Sequence, residues 1–317
     1  MKDFIMLMGL PASGKTSFVE EITALKKDFI VLSSDAIRQE FQFQADETVK
    51  TFEILYKRMR QACEENHNVI YDATNLSRKN RMACLNYLSK FQENYHFILY
   101  NFILPVSVCK YRNKKRANPV PEYVYDHMLK QYNVPMYSEG WDIIRHIFWP
   151  TTFDFYDELT EKMSNFDQQN SHHSFYLLKH CTECANYVID YCPLFTTDAD
   201  VNILCKAALF HDIGKMYTQT FTDKKGNLSK DAHYYSHDNY GSYIFLSEIG
   251  PTLMNEGYGV DTIIKIAVLI NWHMRPYFVW DKDPNKETKA TQKDMKLLGS
   301  KMFHLVELLH ECDRKAH

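Results

Sequence analysis

Four short apolar runs in the first half of the chain predict buried strands. They occupy residues 4–8, 29–32, 68–71 and 96–104. Between them, apolar side chains recur every three or four residues, as from Val49 to Cys63, which is typical of amphipathic helices. Alternating strands and helices predict a parallel sheet, in which ligands bind at the carboxyl ends of the strands.

After about residue 150 the strand signals nearly vanish and helical spacing dominates. Helices are expected near residues 174–190, 198–211, 238–249, 259–273 and 293–313. One polar stretch, Thr218 to Ala232, contains Lys-Gly-Asn and predicts a hairpin. We interpret residues 150–172 as a junction. The pattern therefore predicts an α/β domain over residues 1–152, with helices flanking the sheet, followed by an all-α domain over residues 153–317.

The composition fits a folded protein, because 45% of the 317 residues are hydrophobic and 24% are charged. No run of about 18 apolar residues occurs, and the N-terminus leaves no room for a signal peptide, so no membrane contact is expected. Eight scattered cysteines favour a reducing cytoplasm. Ten of the 14 histidines follow residue 150, in a half that is acidic while the first half is mildly basic. This asymmetry suggests two different chemistries.

A phosphate-binding loop follows the first apolar run. Residues 9–16 have the spacing G-x4-G-K-T between a predicted strand and a predicted helix. Glycines let backbone N–H groups turn toward phosphate oxygens, the lysine reaches the β- and γ-phosphates, and the threonine hydroxyl can hold Mg²⁺. The residues expected to bind ATP or another nucleoside triphosphate are Gly9, Ser13, Gly14, Lys15, Thr16 and Ser17.

Two acidic residues stand where predicted strands end. Asp35 is the candidate general base for a hydroxyl that attacks the γ-phosphate, and Arg38 would hold a phosphate. Asp72 would orient Arg38 or hold a water on Mg²⁺. An alternative interpretation makes Asp35 a helix N-cap. The five basic residues within 110–116 fit a solvated helix face, a nucleic-acid patch or a lid over the nucleotide, and the local sequence leaves all three open.

In this order, the motifs of the first half resemble the kinase domain of phage polynucleotide kinase-phosphatase. The resemblance rests on the phosphate-binding loop, Ser34-Asp35-x2-Arg38, Asp72-x-Thr-Asn-Leu and Arg112-Asn-x2-Arg116, and it covers most of residues 1–150. It implies that Lys15 and Thr16 bind the nucleotide and Mg²⁺. It also implies that Asp35 is the base on a 5′-OH and that Arg38 contacts the adjacent acceptor phosphate. Asp72 would support the acceptor site, and Arg116 would be the lid arginine.

Histidine and aspartate recur in the second half, at the ends and on the faces of predicted helices. The set comprises His180, His211, Asp212, His237, His273 and Asp313. Neutral imidazoles and carboxylates suit Mn²⁺, Fe²⁺, Ni²⁺, Co²⁺ or Zn²⁺. Two such ions about 3.5–4 Å apart would clamp a phosphate. Taken singly, each histidine has an ordinary alternative as a surface or hydrogen-bonded core residue.

The ordered set resembles the HD phosphohydrolase superfamily over roughly residues 174–317, with His211-Asp-Ile-Gly-Lys215 as its most specific part. The resemblance implies that all six residues are ligands of one or two divalent metals and that Lys215 contacts the substrate phosphate. Asp294 is a weaker alternative to Asp313. Cys181 and Cys184 have zinc-like spacing, but we expect them to pack in the core.

Together the two halves resemble bifunctional RNA end-healing enzymes. That resemblance implies phosphorylation of 5′-OH ends and removal of a 3′-phosphate or 2′,3′-cyclic phosphate, with RNA favoured and a ligase acting next. The HD-containing healing family has the opposite domain order. One alternative is a small-molecule or nucleoside kinase joined to an HD nucleotidase or cyclic-nucleotide phosphodiesterase. Another is a nucleotide-gated regulatory protein.

Overall fold

The computed structural model describes residues 1–43, 47–150, 154–170 and 175–316. The chain divides into two compact units. Unit 1 comprises Met1–Met128 and Pro135–Phe148, and unit 2 comprises Leu129–Val134 and Trp149–His317. The boundary predicted at residue 152 falls among residues that the structure does not describe.

Unit 1 contains a parallel five-stranded sheet, which confirms the predicted fold class. Its strands are β1 (Lys2–Met8), β2 (Phe29–Ser33), β3 (Asn68–Asp72), β4 (Tyr95–Ile103) and β5 (Ile143–Phe148), in the order β2-β3-β1-β4-β5. The helices that begin in this part of the chain are α1 (Lys15–Leu25), α2 (Ser34–Phe41), α3 (Thr48–Glu64), α4 (Arg78–Tyr87), α5 (Val106–Asn113) and α6 (Glu122–Leu129). Residues 4–8 of the central strand are buried, as expected of a strand covered on both faces.

The sequence pattern did not predict strand β5. Within the described part of the chain, this strand pairs with β4 alone and lies at the edge of the sheet. In β5 the exposed Arg145 follows the buried Ile144, so the apolar residues of this strand do not form a continuous run.

The register of the sheet brings three chain segments to one edge. Leu7 pairs with Asp72, and Asp72 pairs with Ser33. The loop after β1, the helix after β2 and the end of β3 therefore lie side by side, as expected at the carboxyl edge of a parallel sheet.

Unit 2 is mainly helical, as predicted. Its helices are α7 (Tyr156–Ser164), α8 (Leu177–Tyr191), α9 (Asp198–Phe210), α10 (Lys215–Thr218), α11 (His237–Ile244), α12 (Gly250–Asn255), α13 (Val260–Trp272), α14 (Arg275–Phe278) and α15 (Lys289–Lys315). Helix α9 packs against α8, α13 and α15. Strands β6 (Gln219–Thr222) and β7 (Leu228–Tyr234) form the predicted hairpin. Helix α7 lies in the stretch that we interpreted as a junction, so that interpretation was wrong for residues 156–164.

None of the helices in the described ranges combines the length and apolar character that a membrane span requires.

Candidate active sites

The loop between β1 and α1 is tightly built. A Cβ atom on Gly9 would lie 2.7 Å from the Ser13 Oγ and 3.0 Å from the Phe102 Cβ, so no larger residue fits there without displacement. Gly14 has a φ of 100° and precedes the first turn of α1. The N–H groups of that first turn have no partners within the helix and favour an anion.

Lys15 lies folded into this loop. Its Nζ donates to the carbonyl oxygens of Gly9 at 3.0 Å and Leu10 at 2.8 Å. Burial lowers the pKa of Lys15, and the charges of Asp72 and Asp35 oppose that shift. Thr16 and Ser17 are exposed on the first turn of α1. The lysine therefore lies inside the loop, and both hydroxyls are exposed beside it at the start of α1.

Asp35 lies between two arginines at the start of α2. Its Oδ1 is 3.2 Å from an Arg38 nitrogen and its Oδ2 is 3.9 Å from an Arg116 nitrogen. The Asp35 side chain is 75% exposed and can therefore meet an incoming hydroxyl. Ser33 accepts the Ala36 N–H and is the N-cap, so the alternative interpretation of Asp35 as the cap was wrong.

Asp72 is the partly buried acid of the group. Burial raises its pKa, and the positive charges of Lys15 and Arg116 oppose this rise. The negative charge of Asp35 adds to the rise in the pKa of Asp72. The structure thus brings together the predicted residues Lys15, Asp35, Asp72 and Arg116.

Sequence reasoning missed a buried ion pair that supports the loop beside this site. Arg81 donates to both carboxylate oxygens of Glu139, at 2.8 and 2.6 Å, and both side chains are fully buried. A further Arg81 nitrogen donates to the carbonyl oxygens of Asn75 and Leu76. The same loop contacts the phosphate-binding segment, because Asn75 donates to the Leu7 carbonyl and Thr74 accepts the Gly9 N–H. No local pattern signals a pair 58 residues apart.

In unit 2, all six predicted ligands converge in two groups of three. The first group is His180, His211 and Asp313, and the second is Asp212, His237 and His273. In each group one atom per residue lies within 4.8 Å of the others, and all six residues are buried. They come from α8, α15 and the segments that end α9, begin α11 and end α13, so only the folded helical unit assembles them.

All four histidines point the same ring nitrogen, Nε2, toward the interior of the cluster. Their Nδ1 atoms face backbone carbonyls, at 2.7 Å for His237 and His273, 2.8 Å for His211 and 3.3 Å for His180. A carbonyl can only accept, so each Nδ1 carries a hydrogen and each ring presents its Nε2 to the cluster. Such a backbone contact orients metal-binding histidines. The Nε2 atoms nevertheless approach one another, at 3.3 Å for His180 and His211, and 3.1 Å for His237 and His273. Imidazole nitrogens that face one another beside carboxylates form a donor set that suits divalent metals.

Asp212 lies between the two groups. Its Oδ1 is 3.0 Å from the His237 Nε2, and its Oδ2 is 3.4 Å from the Nε2 atoms of His180 and His211. One carboxylate thus faces both groups, as a bridging ligand would. Burial opposes the charged form of His180, but hydrogen bonds to Asp212 and Asp313 raise its pKa to about 9.

Lys215 is buried at the edge of the cluster. Its Nζ is 2.6 Å from Asp212 Oδ2 and donates to Gln168 Oε1 at 2.8 Å. Gln168 is 1% exposed, and its amide nitrogen donates to the Phe175 carbonyl. Gln168 lies in the stretch that we interpreted as a junction, so its contact with Lys215 was not foreseen.

The alternative ligand Asp294 is not part of either group. Its Oδ2 accepts from Arg275 at 2.7 Å and from Trp280 at 3.0 Å. Asp313, in contrast, faces His180 and accepts the Tyr277 hydroxyl on its other oxygen. The cysteines at 181 and 184 are buried in α8, as expected of core residues.

Comparisons with known proteins agree with this division. Residues 4–135 match the sequence profile of the AAA domain, and residues 173–314 match that of the HD domain. A curated relative, the L-seryl-tRNA(Sec) kinase of Methanococcus maripaludis, is 26% identical over 144 residues. The match covers 44% of this chain and 56% of that protein, so the chain spans little more than half of the relative's length.

Solved structures with partial likeness include a fungal RNA kinase and the Pnkp1/Rnl/Hen1 RNA repair complex. The kinase is 13% identical, with 66% of this chain and 96% of that chain covered and a TM-score of 0.38. The repair complex is 20% identical, with 41% and 43% covered and a TM-score of 0.35. At these values neither likeness assigns a function. The two profile matches agree with the sheet of unit 1 and the helices of unit 2: the first part of the chain is similar to AAA domains and the second part to HD domains.

Proposed function

We propose that the chain heals broken polynucleotide ends, with RNA as the favoured substrate. Unit 1 would transfer the γ-phosphate of ATP to a 5′-OH, and unit 2 would remove a 3′-phosphate or 2′,3′-cyclic phosphate. One observation carries the proposal. A single chain holds a phosphate-binding loop beside an exposed, arginine-flanked aspartate, and also a buried cluster of four histidines and two aspartates.

In the 5′ reaction, Asp35 would accept the proton of the attacking hydroxyl as its oxygen bonds to the γ-phosphorus and the bond to ADP breaks. Lys15 would hold the β- and γ-phosphates, and Thr16 would hold Mg²⁺. Arg116 would neutralise charge on the transferred group. Arg38, which holds Asp35 at 3.2 Å, would contact the phosphate next to the acceptor hydroxyl.

In the 3′ reaction, the six clustered residues would hold one or two divalent cations, which supply Lewis-acid polarisation of a phosphate and activation of water. Lys215 would place its positive charge on a phosphate oxygen of the substrate. Gln168 would keep that lysine oriented, because their contact is buried. The backbone carbonyls on the four Nδ1 atoms would hold the imidazoles in the binding tautomer.

Joining these activities has a chemical reason. A ribonuclease that cuts by transesterification leaves a 5′-OH on one fragment and a 2′,3′-cyclic phosphate on the other. Neither end is a substrate for a ligase that needs a 5′-phosphate and a free 3′-OH. An enzyme that repairs both ends would therefore act directly before such a ligase.

A second candidate is a kinase for a smaller hydroxyl substrate, joined to an HD nucleotidase or cyclic-nucleotide phosphodiesterase. The observation that favours it is the match over 144 residues to an L-seryl-tRNA(Sec) kinase, whose name describes a substrate other than a polynucleotide 5′ end.

The test uses one single-stranded oligoribonucleotide with a 5′-OH and a 3′-phosphate, incubated with the full chain, ATP, Mg²⁺ and Mn²⁺. Mass spectrometry should show gain of a 5′-phosphate and loss of the 3′-phosphate. Nucleosides, mononucleotides and cyclic mononucleotides serve as competitors at equal concentration. Stronger inhibition by these small molecules than by a second oligonucleotide, or their exclusive turnover, would favour the second candidate and contradict the first.

A further inference from the structure

Both strands of the hairpin β6–β7 are joined to chain segments that carry residues of the candidate metal site in unit 2. Helix α10, which begins with Lys215, runs without a break into β6. Strand β7 ends at Tyr234, three residues before His237, and the Tyr234 carbonyl accepts the Nδ1 hydrogen of His237. Both ends of the hairpin are therefore attached to residues of the candidate site.

The base of the hairpin is held firmly. Ala232 is fully buried, its N–H donates to the Gln169 carbonyl, and its carbonyl accepts from the Asn170 side chain. The Tyr234 hydroxyl donates to the backbone carbonyl of Gln168, the residue that contacts Lys215. The hairpin is thus a fixed extension of the site and projects from it.

The exposed part of the hairpin is basic, within a half of the chain that is acidic overall. Lys224, Lys225 and Lys230 are exposed. Asp223 is committed to the turn, where it accepts from the N–H groups of Lys225 and Asn227 and from the Asn227 side chain. The three lysines of the hairpin thus outnumber its two carboxylates, Asp223 and Asp231.

Next to these lysines lies an aromatic pair. The rings of His233 and Tyr235 are nearly parallel, with centroids 5.5 Å apart, and the Lys224 Nζ is 5.4 Å from the Tyr235 ring centroid. His233 and Tyr235 alternate along the chain with Ala232 and Tyr234, which make the contacts that fix the base of the hairpin. Flat rings beside lysines are the combination that binds single-stranded nucleic acid, because rings stack on bases and ammonium groups hold phosphates.

We propose that this hairpin binds the segment of a single-stranded polynucleotide whose 3′ end is in the metal cluster. The inference rests on the proposed function, and it adds that unit 2 selects a polymer over a mononucleotide through Lys224, Lys225, Lys230 and the His233–Tyr235 pair. The hairpin does not take part in the chemistry itself.

The test compares a triple variant, Lys224→Ala/Lys225→Ala/Lys230→Ala, with a matched control, Lys289→Ala/Lys293→Ala/Lys296→Ala. The control removes the same charge from exposed positions near the start of α15, whereas Asp313 lies near its end. Release of 3′-phosphate is measured with a single-stranded oligoribonucleotide and with p-nitrophenyl phosphate, at several salt concentrations, using the metal-loaded full chain.

For three lost phosphate contacts, the KM for the oligonucleotide should rise about tenfold, and the slope of log KM against log salt should fall by about 2. Turnover of p-nitrophenyl phosphate should stay within about twofold of wild type. Tyr235→Ala should raise the oligonucleotide KM by about fivefold or more through lost stacking. The control variant should leave the oligonucleotide KM and the turnover of p-nitrophenyl phosphate unchanged.

An independent readout is a photoreactive base placed near the 3′ end of the oligonucleotide, which should crosslink to the peptide around Tyr235. An unchanged oligonucleotide KM in the triple variant, or an equal rise in the control, overturns the inference and leaves the proposed function intact. Crosslinks confined to other peptides of unit 2 also overturn it. Turnover of p-nitrophenyl phosphate without turnover of any oligonucleotide would contradict the proposed function as well.

Discussion

Substitution of Glu139 by alanine should destabilise unit 1 strongly. The change leaves the Arg81 guanidinium fully buried and without the two carboxylate contacts at 2.6 and 2.8 Å that offset its charge. Trp141 loses its acceptor as well, because its ring nitrogen donates to Glu139 at 3.1 Å. Removing one partner of a buried ion pair lowers the free energy of unfolding by about 3–5 kcal/mol. For a unit of this size that corresponds to a fall of roughly 10–15 °C in its unfolding midpoint.

Glu64 provides the matched control. It also accepts from two basic side chains, Arg60 at 3.0 Å and Lys90 at 2.7 Å, but its side chain is 47% exposed. Exposed pairs contribute little to stability, so Glu64→Ala should move the midpoint by less than about 2 °C. Calorimetry of the full chain measures both variants. Because Arg81 also holds the loop that contacts the phosphate-binding segment, Glu139→Ala should raise the KM for ATP, whereas Glu64→Ala should not.

Equal shifts of the midpoint in the two variants would refute the reasoning, since burial is the difference between them. An unchanged KM for ATP in Glu139→Ala, measured well below its midpoint, would separately refute the link between the ion pair and the nucleotide site.

Three further predictions concern the two sites and the helical unit. Gly9→Ala should make phosphorylation of the 5′-OH less efficient by about tenfold or more, because its Cβ would lie 2.7 Å from the Ser13 Oγ; steady-state kinetics with varied ATP checks it. Asp313→Asn should lower the number of transition-metal ions per chain, whereas Asp294→Asn should not, as measured by elemental analysis of protein purified without chelator. Burial raises the pKa of Glu248 from its ordinary value of 4.5 to about 7. The folded state therefore binds this proton more tightly, and the stability of unit 2 should fall as the pH rises from 4.5 through 7. Thermal unfolding at several pH values should show this fall, and Glu248→Gln should flatten it.

Much of the fold could be predicted from periodicity. The apolar runs at 4–8 and 68–71 became β1 and β3, because strands covered on both faces need continuous apolar sequence. The edge strand β5 was missed, since an edge strand with one exposed face tolerates Arg145. Helix α7 was missed because its stretch was interpreted as a junction, although Leu159 and Met163 are buried.

The two candidate sites were predicted by different routes. Spacing alone indicated the phosphate-binding loop, whereas the six ligands of unit 2 became a set only through their resemblance to HD proteins. Neither route could indicate which side-chain atoms face each other. That Asp212 presents one oxygen to each group, and that Gln168 contacts Lys215, depend on helix packing across long sequence separations. Supporting contacts of this kind have no local sequence signal.

The central claim is that one chain contains two independent phosphate-handling sites. The most direct measurement follows both ends of one 5′-OH, 3′-phosphate oligoribonucleotide in the presence of Asp35→Asn or Asp212→Asn. We expect Asp35→Asn to abolish 5′ phosphorylation and retain 3′-phosphate release, and Asp212→Asn to do the reverse. Loss of both activities in either folded variant, or loss of neither, would contradict the claim.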